Sequence, residues 1–222
     1  MTFRRQALVI FRRDLRIEGR TGEALLITLP FGLAALFLIP LALPLDTELL
    51  SRIGPGMFWA VTLLFGMFIT FRQSAGESPA QHEQLRMLGV DPAARYTGRV
   101  AASTLLLVVF EVVMAPTTIL LFAPEPIPGW PWAIPLALLV AIGLALIGTL
   151  VSDMTASLRG RSTLAPLLVA PLSIPLLVPA AQGLESIRTN NGILVPALFM
   201  VLVVLALAVI GVMTAQPLEE TT

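Results

Sequence analysis

Long apolar runs separated by short polar segments extend along the whole chain. Six of these runs have the length of membrane-spanning helices, because about 20 helical residues are needed to cross a hydrocarbon core of ~30 Å. The predicted spans are approximately 24–44, 54–71, 100–122, 131–151, 164–181 and 193–215. This pattern predicts an all-α integral membrane protein with six transmembrane helices, in which residues 1–222 form a single domain.

Composition supports the membrane assignment and excludes several functions. The chain is 56% apolar and only 13% charged, whereas soluble domains are about 45–50% apolar and ~25% charged. These values argue against a soluble globular, disordered or nucleic-acid-binding protein. The 14 basic residues are all Arg, so the chain lacks the Lys of an ATP-binding P-loop. With no Cys and one His, the chain can have neither thiolate catalysis nor a cysteine or histidine metal site, and we expect no catalytic residues in it.

The arginines are distributed unequally between the two sides of the predicted membrane. Twelve of the 14 precede the first span or lie in the segments 72–99 and 152–163, whereas Arg52 and Arg188 lie on the opposite side. Because positively charged loops remain in the cytoplasm, both termini are expected there. We therefore predict a multi-pass protein of the cytoplasmic (inner) membrane.

Residues 3–20, FRRQALVIFRRDLRIEGR, have the pattern of an amphipathic helix. Apolar side chains that include Phe3, Ile10 and Leu15 fall on one arc. The opposite arc is rich in arginine: Arg5, Arg12, Arg13 and Arg16. Such a helix lies in the membrane interface rather than across it. It is either a charged anchor for the first span or an interfacial elbow that braces the protein against another subunit, and the two roles are compatible.

The largest polar segment is the predicted cytoplasmic loop 72–99, which carries helix-capping signals. Ser78 suits the N-cap, Pro79 suits the first helical position, and Gln81 completes a capping box. Gly89 suits the position just past the last turn. These signals predict a short helix outside the membrane.

This short helix, over 79–88, is either a docking surface for a partner subunit or a solvated surface helix without a partner. His82 on it is expected to be exposed to solvent, because the sequence offers no second metal ligand nearby. Asp91-Pro92 repeats the helix-start signal, so the next helix should begin near Pro92, before the membrane.

One ionisable residue, Glu111, is placed deep in the membrane, about midway along the third predicted span. A charge at that depth is costly, so such residues usually face the interior of the helical bundle. We expect a buried carboxyl group that is hydrogen-bonded to a neighbouring span and acts as a packing or gating contact. A proton relay is the alternative, and it would normally need a second such group.

The fifth predicted span is rich in proline, and Pro171, Pro175 and Pro179 are spaced by four residues. Each proline removes one helical hydrogen bond, and the freed carbonyls must find other partners in the membrane. We expect a kinked or locally broken helix with its prolines near one face. It is either a moving element that lines a pathway or a static kink that shapes packing.

Four stretches carry a resemblance to a known family: FRRDLRIEGR (11–20), RIGPGMFWAVTLLFG (52–66), GESPAQHEQLRMLGVDP (76–92) and APLSIPLLVPA (170–180). Together with the six spans and the N-terminal amphipathic helix, they resemble the CcmB (heme exporter protein B) family within the ABC-2 type permease superfamily. The resemblance covers nearly the whole chain. It implies the ABC-2, type V exporter-like, permease architecture.

The resemblance also implies partners and a mechanism. A separate ATPase, CcmA, would bind ATP and Mg²⁺, and CcmC, CcmD and the haem chaperone CcmE would complete the complex with two permease subunits. ATP hydrolysis would drive haem export, or release of the haem-loaded chaperone at the outer face, during cytochrome c maturation. Haem is the possible cargo, and no cofactor is expected to bind this chain directly. The residues implied in coupling to the ATPase are Ser78, Pro79, His82, Glu83, Leu85, Arg86 and Leu88.

Three other functions are compatible with the sequence. An ABC-2 permease for another cargo, such as a drug, a lipid or a polysaccharide, would share these features. A scaffold that assembles haem-handling subunits would not need ATP hydrolysis. A proton-coupled secondary transporter would depend on Glu111, and it is the weakest alternative because the sequence has neither a second intramembrane ionisable residue nor two similar halves.

Overall fold

The computed structural model describes residues 2–42, 47–75, 87, 89–122, 130–156, 164–189 and 191–220. Within these ranges the chain forms seven long α-helices and one 3₁₀ turn, and no strand is present among them, which confirms the all-α class. The helices are α1 (Phe3–Thr21), α2 (Glu23–Ala42), α3 (Thr47–Ala75), α4 (Pro92–Phe122), α5 (Ala133–Ala156), α6 (Leu164–Arg188) and α7 (Leu194–Glu220), and the 3₁₀ turn is Trp130–Trp132.

Five of the described helices are long and apolar enough to cross a membrane: α2, α3, α4, α5 and α7. The chain is therefore a multi-pass membrane protein. α6 occupies the position of the fifth predicted span but is not one of these five, so the count of six spans stays a prediction. α4 begins at Pro92, as the second helix-start signal predicted.

A tight corner joins the amphipathic helix α1 to α2. Gly22 has a left-handed backbone (φ 63°), and its N–H donates to the carbonyl of Glu18 at 2.6 Å. Glycine suits this position because other residues are strained at positive φ. The Glu18 carboxylate also accepts hydrogen bonds from the backbone N–H groups of Ala24 (3.0 Å) and Leu25 (2.9 Å), which caps the start of α2.

The core of the bundle is formed by α4 and α5. α4 contacts α1, α2, α3, α5 and α7, and α5 also contacts α3, α6 and α7. In the membrane-crossing stretch of α5, 67% of the residues are buried inside the protein, against 22% in α2 and in α7. α2 and α7 therefore lie at the periphery and turn most of their apolar side chains outward.

The proline-rich helix α6 was predicted to be kinked or locally broken. It is one continuous helix over Leu164–Arg188, so the local break is absent and the kink stays a prediction. Pro171 and Pro175 are exposed, whereas Pro179 is buried, so the three prolines do not share one environment. Each of these prolines lacks one backbone N–H and so removes one helical hydrogen bond. The hydrogen bonds of the other residues keep the helix continuous.

Candidate functional site

The residues implied in coupling lie outside the described parts of the chain, and their prediction stays untested: Ser78, Pro79, His82, Glu83, Leu85, Arg86 and Leu88. The structure describes both flanks of this segment. On the far side Met87 is helical and Gly89 has a left-handed backbone (φ 67°). This conformation suits the position after a helix, as the sequence predicted for Gly89.

The start of α4 is capped and is tied to α1. The Asp91 carboxylate accepts a hydrogen bond from the N–H of Ala93 at 2.9 Å, as expected for an N-cap. The side-chain amide of Gln6 binds the same stretch twice: it donates to the carbonyl of Gly89 (3.5 Å) and accepts from the N–H of Asp91 (3.1 Å). The amphipathic helix is thus hydrogen-bonded to the end of the predicted coupling segment.

α1 packs on α4 through a close backbone approach. A Cβ atom at Gly98 would lie 2.6 Å from the carbonyl oxygen of Ala7 and 2.8 Å from Cβ of Ile10. Such distances leave no room for a side chain, so α1 can reach this position only because residue 98 is glycine. Part of the predicted apolar arc of α1 therefore faces protein, with Ile10 buried, while Phe3 remains exposed.

The arginine arc of α1 is accessible, as predicted. Arg5, Arg12 and Arg16 are exposed, and Arg13 is partly buried against Asp14, with a 2.9 Å ion pair. Asp14 itself is buried, and the sequence pattern gave it no role. It lies one turn from Ile10 on the face that meets α4.

A buried polar network joins α3, α4 and α5 at the end predicted to be cytoplasmic. Arg99 of α4 is 5% exposed and forms a 2.7 Å ion pair with Asp153 of α5. Ser103 of α4 donates to the side-chain carbonyl of Gln73 in α3, and the hydroxyl of Tyr96 donates to the carbonyl of Leu146 at 3.2 Å. We call this set the cytoplasmic network: Gln73, Tyr96, Arg99, Ser103, Leu146 and Asp153.

This network connects α3 and α4, the helices that flank the predicted coupling helix 79–88. Gln73 lies near the end of α3, just before the segment, and Arg99 lies in the first turns of α4, just after it. Both helices also pack on α5.

Glu111 is buried in the bundle interior, as predicted, with 5% of its surface exposed. Its neighbours along α4, Phe110 and Met114, are fully buried. Its Oε1 atom has no hydrogen-bond partner among the described residues, so the hydrogen bond predicted between this carboxyl group and a neighbouring span is not made by that oxygen and otherwise stays a prediction.

The opposite end of the bundle, predicted to face outward, has a cleft of about 140 Å³ between α3 and α6. We call it the outer cleft, and it is lined by Arg52, Pro55, Gly56, Trp59, Ala181, Leu184, Glu185 and Arg188. Sequence reasoning did not find this cleft. The available signal was that Arg52 and Arg188, the two arginines predicted on the outer side, both line it.

Two ion pairs border the outer cleft. Arg52 binds Glu48 at 2.7 Å, and Arg188 binds Glu185 at 2.8 Å. The hydrogen bond from Arg188 holds the pKa of Glu185 below its usual value. Within the described parts of the chain, no three His, Asp or Glu side chains come together in a way that would hold a metal ion.

Comparison with known proteins identifies the family of this molecule. The family described as CcmB protein matches residues 5–219. The chain belongs to the CcmB protein family. It is 33% identical over 186 residues to "Heme exporter protein B" of Haemophilus influenzae, covering 82% of this chain and 83% of that protein.

Two further CcmB relatives are also named "Heme exporter protein B". "Heme exporter protein B" of Paracoccus denitrificans is 30% identical over 183 residues, which are 81% of this chain and 82% of that protein. The protein of that name from Bradyrhizobium diazoefficiens is 30% identical over 175 residues, 76% of each chain. The CcmB match includes α1 and both flanks of the predicted coupling segment, which confirms the family resemblance found in the sequence.

Proposed function

We propose that this chain is the membrane permease subunit of an ABC transporter for haem export in cytochrome c maturation. The observation that carries the proposal is the CcmB family match over residues 5–219, together with relatives named "Heme exporter protein B". The all-helical membrane structure agrees with this function. A separate ATPase must supply the energy, because the chain has no Lys and hence no P-loop.

Force from the ATPase enters through the loop 72–99. In this proposal the predicted helix 79–88 docks on the ATPase, CcmA, and its motion reaches α3 and α4 directly. Both helices extend into this predicted loop, since α3 (Thr47–Ala75) ends at Ala75 and α4 (Pro92–Phe122) begins at Pro92. A movement at the cytoplasmic end therefore changes the position of their outer ends.

Three contacts keep this transmission stiff. The Gln6 amide fixes α1 to the end of the loop, the Arg99–Asp153 ion pair fixes α4 to α5, and the Ser103–Gln73 hydrogen bond fixes α4 to α3. Polar contacts that are partly buried between packed helices resist separation because water has limited access to replace the lost partner. The elbow helix α1 thus acts as a brace for the coupling loop.

The proposal includes further partners and an orientation. CcmC, CcmD and the haem chaperone CcmE complete the complex, with two copies of this permease, and both termini lie in the cytoplasm. The support is the family match and the arginine distribution, with 12 of 14 arginines on the side of the termini. ATP hydrolysis then drives haem export or the release of the haem-loaded chaperone at the outer face.

The test is co-purification from mild detergent with the tagged full-length chain. The double variant Leu85→Glu/Leu88→Glu places charges on the predicted docking helix, and Thr21→Glu places a charge on an exposed residue at the end of α1. We expect wild type and Thr21→Glu to retain an ATPase and cytochrome c maturation proteins, and the double variant to lose the ATPase. Equal recovery from all three would contradict the docking assignment.

The same preparation separates the alternatives. An ATPase without cytochrome c maturation proteins would point to an ABC-2 permease for another cargo. Wild type without any ATPase would contradict the permease function. An inactivated ATPase that still supports holocytochrome c formation in cells would favour a scaffold that does not transport.

A further inference from the structure

Three buried polar atoms in the outer half of the bundle have no hydrogen-bond partner among the described residues. They are Nε1 of Trp59 and Oγ1 of Thr62, both on α3, and Oε1 of Glu111 on α4. Buried polar groups in native proteins are almost always paired with protein or with ordered water. Three unpaired groups on two adjacent helices therefore need a common explanation.

The packing of α3 against α4 sets Thr62 and Glu111 at the same depth. The two helices are antiparallel, and Gly66 of α3 packs against Leu107 of α4, where an added Cβ would lie 2.8 Å from Cδ2. One helical turn is about 3.6 residues. Thr62 lies one turn beyond Gly66 toward the outer end, and Glu111 lies one turn beyond Leu107 in the same direction.

The surroundings of this pair are apolar. Phe110 and Met114 lie beside Glu111 along α4 and are fully buried, and Leu144 of α5 reaches Gly66, one turn inward from Thr62. A carboxylate in such surroundings is strongly disfavoured. If Glu111 keeps its proton and binds a water molecule, the carboxyl group gains a hydrogen-bond partner. The same water can also hydrogen-bond to the hydroxyl of Thr62.

Trp59 connects this pair to the outer cleft. It lies about one turn beyond Thr62 on α3, and its ring lines the cleft. The cleft volume of about 140 Å³ holds several water molecules. Indole N–H, hydroxyl and carboxyl groups thus follow one another from the cleft toward the membrane core, and each can bind water.

We propose that water from the outer cleft passes Trp59 and hydrates Thr62 and Glu111, so that Glu111 exchanges its proton with the outer side. We call this route the hydration path, defined by the outer cleft, Trp59, Thr62 and Glu111. It does not depend on the identity of the transported cargo. It gives the subunit a water-binding site within the membrane core.

The first test uses the absence of cysteine from the natural sequence, so that single cysteine variants need no altered background. Thr62→Cys is expected to react with a membrane-impermeant methanethiosulfonate added to the outer side of intact spheroplasts, because a hydrated thiol ionises and reacts more readily than one in dry apolar surroundings. The control is Ala141→Cys, a fully buried position on α5, one turn outward from Leu144 and thus at the depth of Thr62.

We expect Thr62→Cys to react about tenfold faster than Ala141→Cys, since a hydrated thiol ionises more readily than a dry one. Equal rates would overturn the hydration path. Reaction of Thr62→Cys from the cytoplasmic side alone would overturn entry through the outer cleft.

A second test reads Glu111 without a cysteine variant. The full-length protein in lipid nanodiscs should show an infrared carboxylic-acid band that is lost in Glu111→Gln and shifts soon after transfer to heavy water. Thr62→Val should slow this shift. Thr118→Val should not, because the hydroxyl of Thr118 is already bonded to the carbonyl of Met114 at 2.9 Å. A missing band, or a band that does not shift, would contradict the proposal.

Discussion

At the residue scale, the amide of Gln6 joins two segments that are far apart in sequence. One amide has both a donor and an acceptor, and it uses them on the carbonyl of Gly89 and the N–H of Asp91. A carboxylate could make only one of these bonds, and an apolar side chain neither. The contact therefore depends on the chemical nature of residue 6 and not only on its size.

Replacement of Gln6 by Met keeps the length of the side chain and removes both hydrogen bonds. The loss of the bond to Asp91 should cost roughly 1 kcal/mol, which corresponds to about fivefold faster amide hydrogen exchange at Asp91. Hydrogen-exchange mass spectrometry of the full-length protein measures this rate. Arg4→Ala at a neighbouring exposed position should leave it unchanged, and an unaltered rate in Gln6→Met would contradict the brace.

The Arg99–Asp153 pair is the strongest electrostatic contact of the cytoplasmic network. The Arg99 side chain is 6% exposed and that of Asp153 is 26% exposed. Asp153→Ala should lower the free energy of unfolding by about 2–3 kcal/mol, somewhat less than the loss at a fully buried pair. Thermal unfolding in detergent measures the change, and Glu48→Ala, in an exposed pair with Arg52, should cost at most about 1 kcal/mol.

Glu185 predicts a small dependence of stability on acid pH. Its hydrogen bond from Arg188 lowers the pKa in the folded state, so the pair stabilises the fold above the unfolded pKa of about 4.3. This contribution is lost as the pH falls through the folded pKa. Because the pair is exposed, we expect less than about 1 kcal/mol. The unfolding midpoints of wild type and Glu185→Gln should therefore differ at pH 6 and converge as the pH falls well below 4, and a difference that stays constant with pH would contradict this assignment.

Some residue-level features could be predicted from sequence and others could not. The burial of Glu111 and the left-handed Gly89 follow from local rules on membrane depth and helix ends. The partner of Asp153 does not, because the structure pairs it with Arg99 on another helix. Long-range pairs require the packing of helices to be known.

At the element scale, α1 is more than an interfacial anchor because one side of it packs on α4. The contact depends on Gly98, where the backbone of Ala7 comes closest. The amphipathic pattern predicted the helix and its accessible arginines. It did not predict the protein-facing side, because an apolar arc has the same pattern whether it meets lipid or another helix.

Gly98→Val should separate α1 from α4. An added Cβ would lie 2.6 Å from the carbonyl oxygen of Ala7, which is backbone and cannot rotate away. We expect faster cleavage within α1 by a protease added to the cytoplasmic side of inverted vesicles. Gly19→Ala, at a position with nothing within 4 Å, should cleave like wild type. Slow cleavage of Gly98→Val would show that the contact tolerates a side chain.

At the scale of the whole molecule, the helices differ in burial far more than in hydropathy. α5 and α7 have similar mean hydropathies of 2.6 and 2.9, but 67% of the first stretch is buried and only 22% of the second. Hydropathy measures transfer out of water, and it does not separate a lipid environment from a protein one. Five of the six predicted spans correspond to helices long and apolar enough to cross a membrane, whereas the arrangement of the helices could not be predicted from sequence.

This difference predicts unequal tolerance of substitution. Leu144→Ala on α5 removes a fully buried side chain and should cost about 2–4 kcal/mol, through the cavity that it leaves. Leu202→Ala on α7, where the side chain is 64% exposed, should cost less than about 0.5 kcal/mol. Unfolding in mixed detergent compares the two. Similar losses would mean that α7 is buried by another subunit in the preparation.

The length of α4 makes it a lever. Its 31 residues extend over about 46 Å at 1.5 Å per residue, whereas the hydrocarbon core is ~30 Å thick. About 16 Å of α4 therefore extends beyond the hydrocarbon core, and the end of this extension moves by about 3 Å when the helix tilts by roughly 10°. The stroke available to a motor subunit thus depends on where the membrane surface supports the helix, and a thicker bilayer shortens it.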